Sequence, residues 1–251
     1  MKTRFLLLAL LLAPLLVAAQ EPCGTVFPPD ACDTAVSGVS PVPDPPLTTG
    51  SIACWNLDEA ANVTRVDSCG SADLTDASSN TGVVAGINNN GVVVNFGANN
   101  CLTNATPIPM GNEWTVNLWI DNLGDNSAAL VNGQFQLRGA LNAFFSVSNI
   151  FSISGQPAGT SCTPSTTIGG FHMFTAWLHP SDGKIHCAID NGPEVVAGTA
   201  VVMPTISGAL TVGNNGCSFG FGPSGTDELS FWDRALSYNQ RQELLTTFAP
   251  F

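Results

Sequence analysis

The sequence predicts an all-β fold, an antiparallel two-sheet sandwich with one short C-terminal helix. Three observations predict it. The composition is rich in turn formers, with 25 Gly and 17 Pro in 251 residues, and only 10% of residues are charged, which disfavours a helical protein and suits short strands. From Ser51 onward, short apolar or alternating runs recur, each ended by Gly, Asn, Asp or Pro, a spacing that fits antiparallel strands rather than βαβ units. A hydrophobic content of 44% is ample for a core and excludes disorder.

Taken in chain order, Met1–Ala19 reads as a secretory signal, with Lys2 and Arg4 as its positive start, Phe5–Leu16 as its apolar stretch and Val17–Ala19 as its small-residue end. About 15 apolar residues broken by Pro14 fall short of the roughly 20 that span a bilayer, so no membrane insertion of the mature chain is expected. The protein is expected outside the cell, secreted or at its surface. Losing Lys2 and Arg4 with the leader leaves 5 basic against 19 acidic side chains, a charge of −14. With no Lys/Arg cluster to meet phosphates, nucleic acid and anionic membranes are excluded as partners.

Residues 20–50 form a Cys/Pro-rich head and linker, whose Pro41-Val-Pro-Asp-Pro-Pro46 stretch favours extended polyproline conformation. Residues 51–251 form one domain. Its expected strands are Ile52–Leu57, Val92–Phe96, Thr115–Ile120, Phe144–Ile153, Phe171–Leu178, Lys184–Ile189, Ala209–Val212 and Glu228–Trp232. Only the tail looks helical: Ser237-Tyr-Asn-Gln240 has capping-box spacing, and Leu244, Leu245 and Phe248 supply an apolar side.

All eight cysteines lie beyond the leader: Cys23, Cys32, Cys54, Cys69, Cys101, Cys162, Cys187 and Cys217. An even count in a secreted chain, without Cys-x2-Cys pairs, points to disulfides rather than metal. His172, His179 and His186 form no ligand-spaced set with these cysteines. Cys23–Cys32 is the expected local pair, Cys54–Cys69 the next, and connectivity beyond them is open. Asn62-Val63-Thr64 and Asn104-Ala105-Thr106 are sequons that accept N-glycans in a eukaryotic host.

Six segments then carry a family resemblance. Ala53-Cys-Trp55-Asn-Leu57-Asp58-Glu59 and the turn Arg65-Val-Asp67-Ser68-Cys-Gly70 come first, followed by Val94-Asn-Phe96-Gly97 with Cys101-Leu102, and by Trp114-Thr-Val-Asn-Leu-Trp119. Phe171–Trp177 leads through Asp182-Gly183 to Ala188-Ile189-Asp190-Asn191-Gly192. Last come Leu210-Thr-Val212-Gly213 and Thr226-Asp227-Glu228 through Trp232-Asp233-Arg234-Ala235-Leu236-Ser237. Together, over about residues 51–248, they resemble the laminin-G-like jelly roll of the concanavalin A-like lectin/glucanase superfamily. The chain departs from that pattern at Phe171, where tryptophan is usual, and at Cys54, Cys101 and Cys187, where tyrosine is frequent. The resemblance implies a jelly-roll sandwich and a recognition or adhesion role in carbohydrate binding.

The residues themselves disfavour catalysis. Glycoside hydrolysis needs two carboxyls flanking one bond, but no E-x-D-x-x-E strand occurs, and Asp58-Glu59 and Asp227-Glu228 are neighbours that a regular strand points to opposite faces. Asp227, directly before an apolar strand, reads as a structural carboxylate that accepts backbone N–H bonds. The resemblance makes one calcium ion the expected cofactor, with Asp121 and Asp125 in Asp121-Asn-Leu-Gly-Asp125-Asn126 as its carboxylates. Ligand contacts are expected from Asn214, Asn215, Phe219 and Phe221 in the second polar and aromatic loop. The expected function is a non-catalytic module binding an extracellular glycan or protein through its loop rim. A self-assembling building block of a coat, filament or virion stays open, as does a divergent polysaccharide-degrading enzyme.

Non-reducing mass spectrometry of the secreted protein should find four disulfides and no free thiol; two or more thiols that alkylate in the native state would contradict this.

Overall fold

In the computed structural model, the residues described are 43–247, except 77–80, 95–100, 105, 107, 110, 123–131, 138–140, 146–150, 155–161, 165–169, 191, 201–209 and 214–223. All of them belong to one unit, Val39–Phe251. The leader and the Cys23 and Cys32 head lie outside the described residues.

The chain runs β1 (Ser51–Trp55), β2 (Thr75–Asp76), β3 (Thr81–Ala85), β4 (Asn90–Val94), β5 (Cys101–Thr103), β6 (Trp114–Asn122) and β7 (Asn132–Leu137). It continues through β8 (Leu141–Phe145), β9 (Phe151–Ser154), β10 (His172–Leu178), β11 (Lys184–Ile189), β12 (Val195–Ala200), β13 (Leu210–Gly213) and β14 (Ser224–Trp232) to α1 (Tyr238–Thr247). Two antiparallel sheets result. One orders β12-β11-β10-β6-β14-β4-β3 with β1 also on β14; the other orders β2-β5-β13-β7-β8-β9. The fold is therefore the expected all-β sandwich with a short C-terminal helix.

Each expected segment contains a strand among the described residues, with one correction. The run expected as a single strand over Phe144–Ile153 is divided between β8 and β9, which pair antiparallel, Phe145 facing Phe151. Apolar content alone hid the reversal, because both arms carry the same residue types. Five strands were not foreseen: β2, β3, β5, β7 and β12. β12 exposes most of its residues and β3 buries only Thr81, so neither carries the continuous apolar signal by which buried strands announce themselves.

The main core lies between the sheets, where Leu102, Leu210 and Val212 from one side meet Val116, Leu118, Phe174, Leu229 and Phe231 from the other. A second apolar cluster, Leu47, Trp119, Met173, Trp232, Leu236 and Leu244, covers the outer face of the larger sheet. Strand β10 is buried at all but its first residue, because its alternate side chains enter these two different layers. All five tryptophans are 0–4% exposed.

Helix α1 and the segment before β1 form the outer layer. Ser237 and Gln240 close the expected capping box reciprocally, the Gln240 amide donating to Ser237 Oγ (3.2 Å) and the Ser237 amide to Gln240 Oε1 (3.0 Å). Trp232 Nε1 donates to the Leu47 carbonyl (2.7 Å), Arg234 Nε to Thr49 (2.8 Å) and Ser237 Oγ to Asp44 (2.6 Å). Packing thus takes in Asp44–Gly50, upstream of the boundary expected at residue 51.

The turn after β1 is organised by Asp67. Its Oδ1 accepts the amides of Cys54 (2.9 Å), Cys69 (3.0 Å) and Gly70 (3.0 Å), and its Oδ2 accepts that of Ala72 (2.9 Å). The expected Cys54–Cys69 disulfide closes the same turn, with Cα atoms 5.3 Å apart. A second disulfide joins Cys162 to Cys187, and Cys101 is disulfide-bonded too; Cys217 lies outside the described residues.

Trp55 is fully buried, edge-on to Phe231 at 6.1 Å, with Nε1 donating to the Ala72 carbonyl. Trp55→Ala should therefore cost about 3–5 kcal/mol in chemical denaturation, and an unchanged midpoint would refute its place in the core.

Candidate functional site

Two clusters of ionisable side chains stand out in the larger sheet. The first lies where β14 changes partner. On one edge β14 pairs with β4 through Ser224–Thr226 and then with β1 through Leu229–Trp232. Its pairing with β6 on the other edge shifts register between Asp227 and Ser230. Glu228 occupies that irregularity with φ 48, a left-handed conformation that side chains other than Gly seldom adopt.

Two carboxylates hold the β3–β4 turn against this seam. Asp227 Oδ2 accepts the Ile87 amide (2.9 Å) and the Asn88 amide (3.5 Å), and Oδ1 accepts that of Glu228 (3.0 Å). Asp227 is thus the structural carboxylate its sequence position implies. Asp58, just past β1, accepts the Asn90 amide (2.9 Å) and the Asn89 side chain (3.3 Å). Gly86 is required here: a Cβ would meet Asp227 Oδ2 at 2.2 Å and the Asn90 carbonyl oxygen at 2.4 Å.

Glu228 is 1% exposed, and neither carboxylate oxygen has a hydrogen-bond partner of full geometry. Burial, reinforced by the charges of Asp227 and Asp58, pushes its carboxyl up to about 8, offset in part by the Asn88 side chain. Burial likewise pushes Asp227 up to about 7, against the amides of Ile87, Asn88 and Glu228. Sequence reasoning treated Asp58-Glu59 and Asp227-Glu228 as separate pairs. The topology brings Asp58 and Asp227 onto one turn.

The second cluster sits on the β10–β11 hairpin. His186 is 6% exposed, and its Nδ1 is bonded to Glu194 Oε1. Its Nε2 lies 3.1 Å from Asp182 Oδ2 and 3.3 Å from Oδ1. His179 stacks on His186 with ring centroids 4.8 Å apart, and its Nδ1 meets Ser181 Oγ at 2.8 Å. One ligand atom from each of His179, Asp182 and His186 lies within 4.8 Å of the others. Desolvation opposes a charge on His186, but the hydrogen bonds and charges of Glu194 and Asp182 outweigh it and hold its pKa above the usual imidazole value. Asp182 is also desolvated, yet the Lys184 amide and the nearby histidines hold it below the ordinary carboxylate range. The sequence reading compared histidines with cysteines and missed this set; the signal was His179-x2-Asp182-x3-His186 around the turn at Gly183.

Of the sequence-predicted site residues, Asp121 is half-buried near the end of β6, opposite Gly225. Asp125, Asn214, Asn215, Phe219 and Phe221 lie outside the described residues. Asn62 is exposed in a turn. Asn104 is 3% exposed, with its side chain donating to the Ala72 carbonyl (2.8 Å) and accepting the Thr106 amide (2.5 Å), so this fold leaves no room for a glycan there.

No family model matches the chain, and no curated protein does. Solved structures do. The binding domain of Paraclostridial mosquitocidal protein 1 matches with a TM-score of 0.63 at 11% identity, over 80% of this chain and 53% of its own. The receptor-binding domain of botulinum neurotoxin type G matches at 0.62 and 11%, over 80% and 52%. Trypanosoma rangeli sialidase matches at 0.56 and 15%, over 79% and 33%. The chain spans about half the length of the toxin domains and a third of the sialidase. At these identities the likeness shows the all-β sandwich fold.

The buried carboxylates set a pH dependence. In the unfolded chain both ionise near pH 4, whereas the folded chain keeps their protons until about 7 and 8. Between those limits the unfolded state binds fewer protons, so this contribution is fully present below the unfolded values and is lost as pH rises through the folded ones. Glu228→Gln removes the larger part. Its melting temperature should gain on wild type progressively from about pH 5 to about pH 8.5, and parallel curves would contradict the assignment.

Proposed function

We propose that the chain is a secreted, non-catalytic recognition module, a jelly roll of the laminin-G-like kind, that binds an extracellular glycan or protein on its loop rim. The burial of all five tryptophans carries this reading. The central strands of the larger sheet are covered on both faces, so the aromatic surface that a sugar ring stacks on must come from loops. Disulfides in the described residues support an oxidising compartment, and among the described residues no helix is long and apolar enough to cross a membrane.

Neighbouring structures point the same way. One is the receptor-binding domain of botulinum neurotoxin type G by name, another concerns botulinum neurotoxin type C, whose cell entry depends on two ganglioside molecules, and a third is a sialidase in complex with sialic acid. A mature charge of −14 favours neutral sugars over sialylated ones for this chain, because like charges repel at encounter. Asn214, Asn215, Phe219 and Phe221 form the proposed contact loop. One calcium ion at Asp121 and Asp125 belongs to the same proposal.

A glycan array probed with and without a calcium chelator tests this reading. Hits among neutral glycans, weakened by Phe221→Ala at unchanged melting temperature, are the expected outcome. Self-assembly without hits would favour a coat or filament building block, and release of sugar products would favour an enzyme. Asp121→Ala with Asp125→Ala should abolish a calcium-induced rise in melting temperature; a native protein indifferent to calcium would end the metal part of the proposal.

A further inference from the structure

We propose that the β10–β11 hairpin carries a second metal site, in which His179, Asp182 and His186 bind a divalent ion of the zinc class and leave one coordination position open. Two imidazoles and a carboxylate suit borderline ions such as zinc, whereas calcium prefers oxygen alone.

The geometry supports this residue by residue. Zinc holds N and O ligands at about 2.0–2.1 Å, so two of them at a tetrahedral angle sit about 3.3 Å apart. His186 Nε2 and the Asp182 oxygens lie 3.1 and 3.3 Å apart, the separation a shared ion needs. Asp182 Oδ1 already accepts the Lys184 amide at 2.9 Å, which fixes the carboxylate and leaves Oδ2 to ligate. His186 is held from behind by Glu194 at Nδ1, the carboxylate–histidine arrangement that orients a metal-binding ring and keeps its far nitrogen available. The Ser181 amide donates to His179 Nδ1 at 3.2 Å, and Ser181 Oγ lies 2.8 Å from the same nitrogen, so ligation through Nε2 moves the ring proton to Nδ1, where Oγ accepts it and the amide bond is given up.

His179 is the member that has to turn to ligate. It is half-exposed, and its ring lies 30° from parallel with that of His186. An ion must lie close to the plane of each imidazole, so capture turns His179 out of the stack while buried His186 keeps its place. Asp182 is exposed, which puts the fourth position toward solvent, where water or a carboxylate or imidazole of a partner can occupy it. Such a site is of the open kind rather than the closed structural kind. It owes nothing to the Asp121–Asp125 calcium proposal and stands or falls separately.

The test uses untagged, full secreted protein titrated with zinc chloride by calorimetry and by thermal melting, with cobalt(II) as a spectroscopic stand-in. Wild type should bind one zinc per chain, melt higher with zinc, and give visible cobalt bands of tetrahedral intensity. His179→Ala and Asp182→Asn change residues at the surface, so folding should survive, as melting in a chelator will verify. Each should weaken zinc at least tenfold and remove the cobalt bands, while Glu194→Gln should weaken zinc by about 10–100-fold through loss of ring orientation. A wild type that neither takes up zinc nor melts higher in its presence would overturn the proposal and leave His186 as a proton-bearing bridge between two carboxylates. Zinc uptake unchanged in both His179→Ala and Asp182→Asn would overturn it equally, by placing the ion elsewhere.

Discussion

Strand β14 has two edges and three neighbours. β6 occupies one edge along most of its length, while β4 and β1 share the other, β4 taking the first residues and β1 the last. Two strands cannot end and begin on one edge without a gap in the ladder. Asp227 and Asp58 fill that gap by accepting the amides of the β3–β4 turn, so a turn distant in sequence replaces the missing strand hydrogen bonds. The cost is concentrated on Glu228, which is held at positive φ with its carboxylate buried. One end of the larger sheet depends on this seam, since β4, with β3 beyond it, and β1 all attach along that edge of β14.

A second constraint follows from the apolar content of the central strands. β6, β10 and β14 present large side chains to both faces: Phe174 and Phe231 enter the space between the sheets, while Met173, Trp119 and Trp232 face outward. A two-layer sandwich would leave the outward set in water. Helix α1 and the Leu47 segment cover it, with Arg241 laid over the Trp177 ring at 3.8 Å. The larger sheet therefore behaves as the middle layer of three. The ionisable groups of the β10–β11 hairpin adjoin this face, where His186 lies beside Trp177 at 5.7 Å.

Strong local signals made much of this legible in the sequence. The tryptophans, the Ser237–Gln240 capping box, the Cys54–Cys69 pair and the role of Asp227 each rest on a few adjacent residues whose chemistry has one favourable outcome. What stayed hidden depends on distant partners. The outward face of β10 is apolar, but nothing local says that Leu47 and Leu244 cover it. β3 and β12 pair through backbone groups that every residue carries. Asp190 adopts φ 50, and its carboxylate accepts the Met173 amide and meets His172 Nδ1, contacts that no local pattern announces. The histidine cluster was invisible for another reason. Its residues are close in sequence, but only the hairpin turn and the buried Glu194 bring their nitrogens and oxygens to one point.

The segment before β1 and the helix after β14 have a mechanical consequence. Ser51 faces Trp232, so the chain enters and leaves this domain from the same end of one strand pair. Beyond that pair the two directions are joined by a short series of links, from Arg234 to Thr49, Trp232 to Leu47, Gln240 to Pro45 and Ser237 to Asp44. Tension between the two attachments opens these links one after another, as a zipper, instead of loading them together in shear. In that geometry the outer layer would part link by link before the strands of the sandwich took the load.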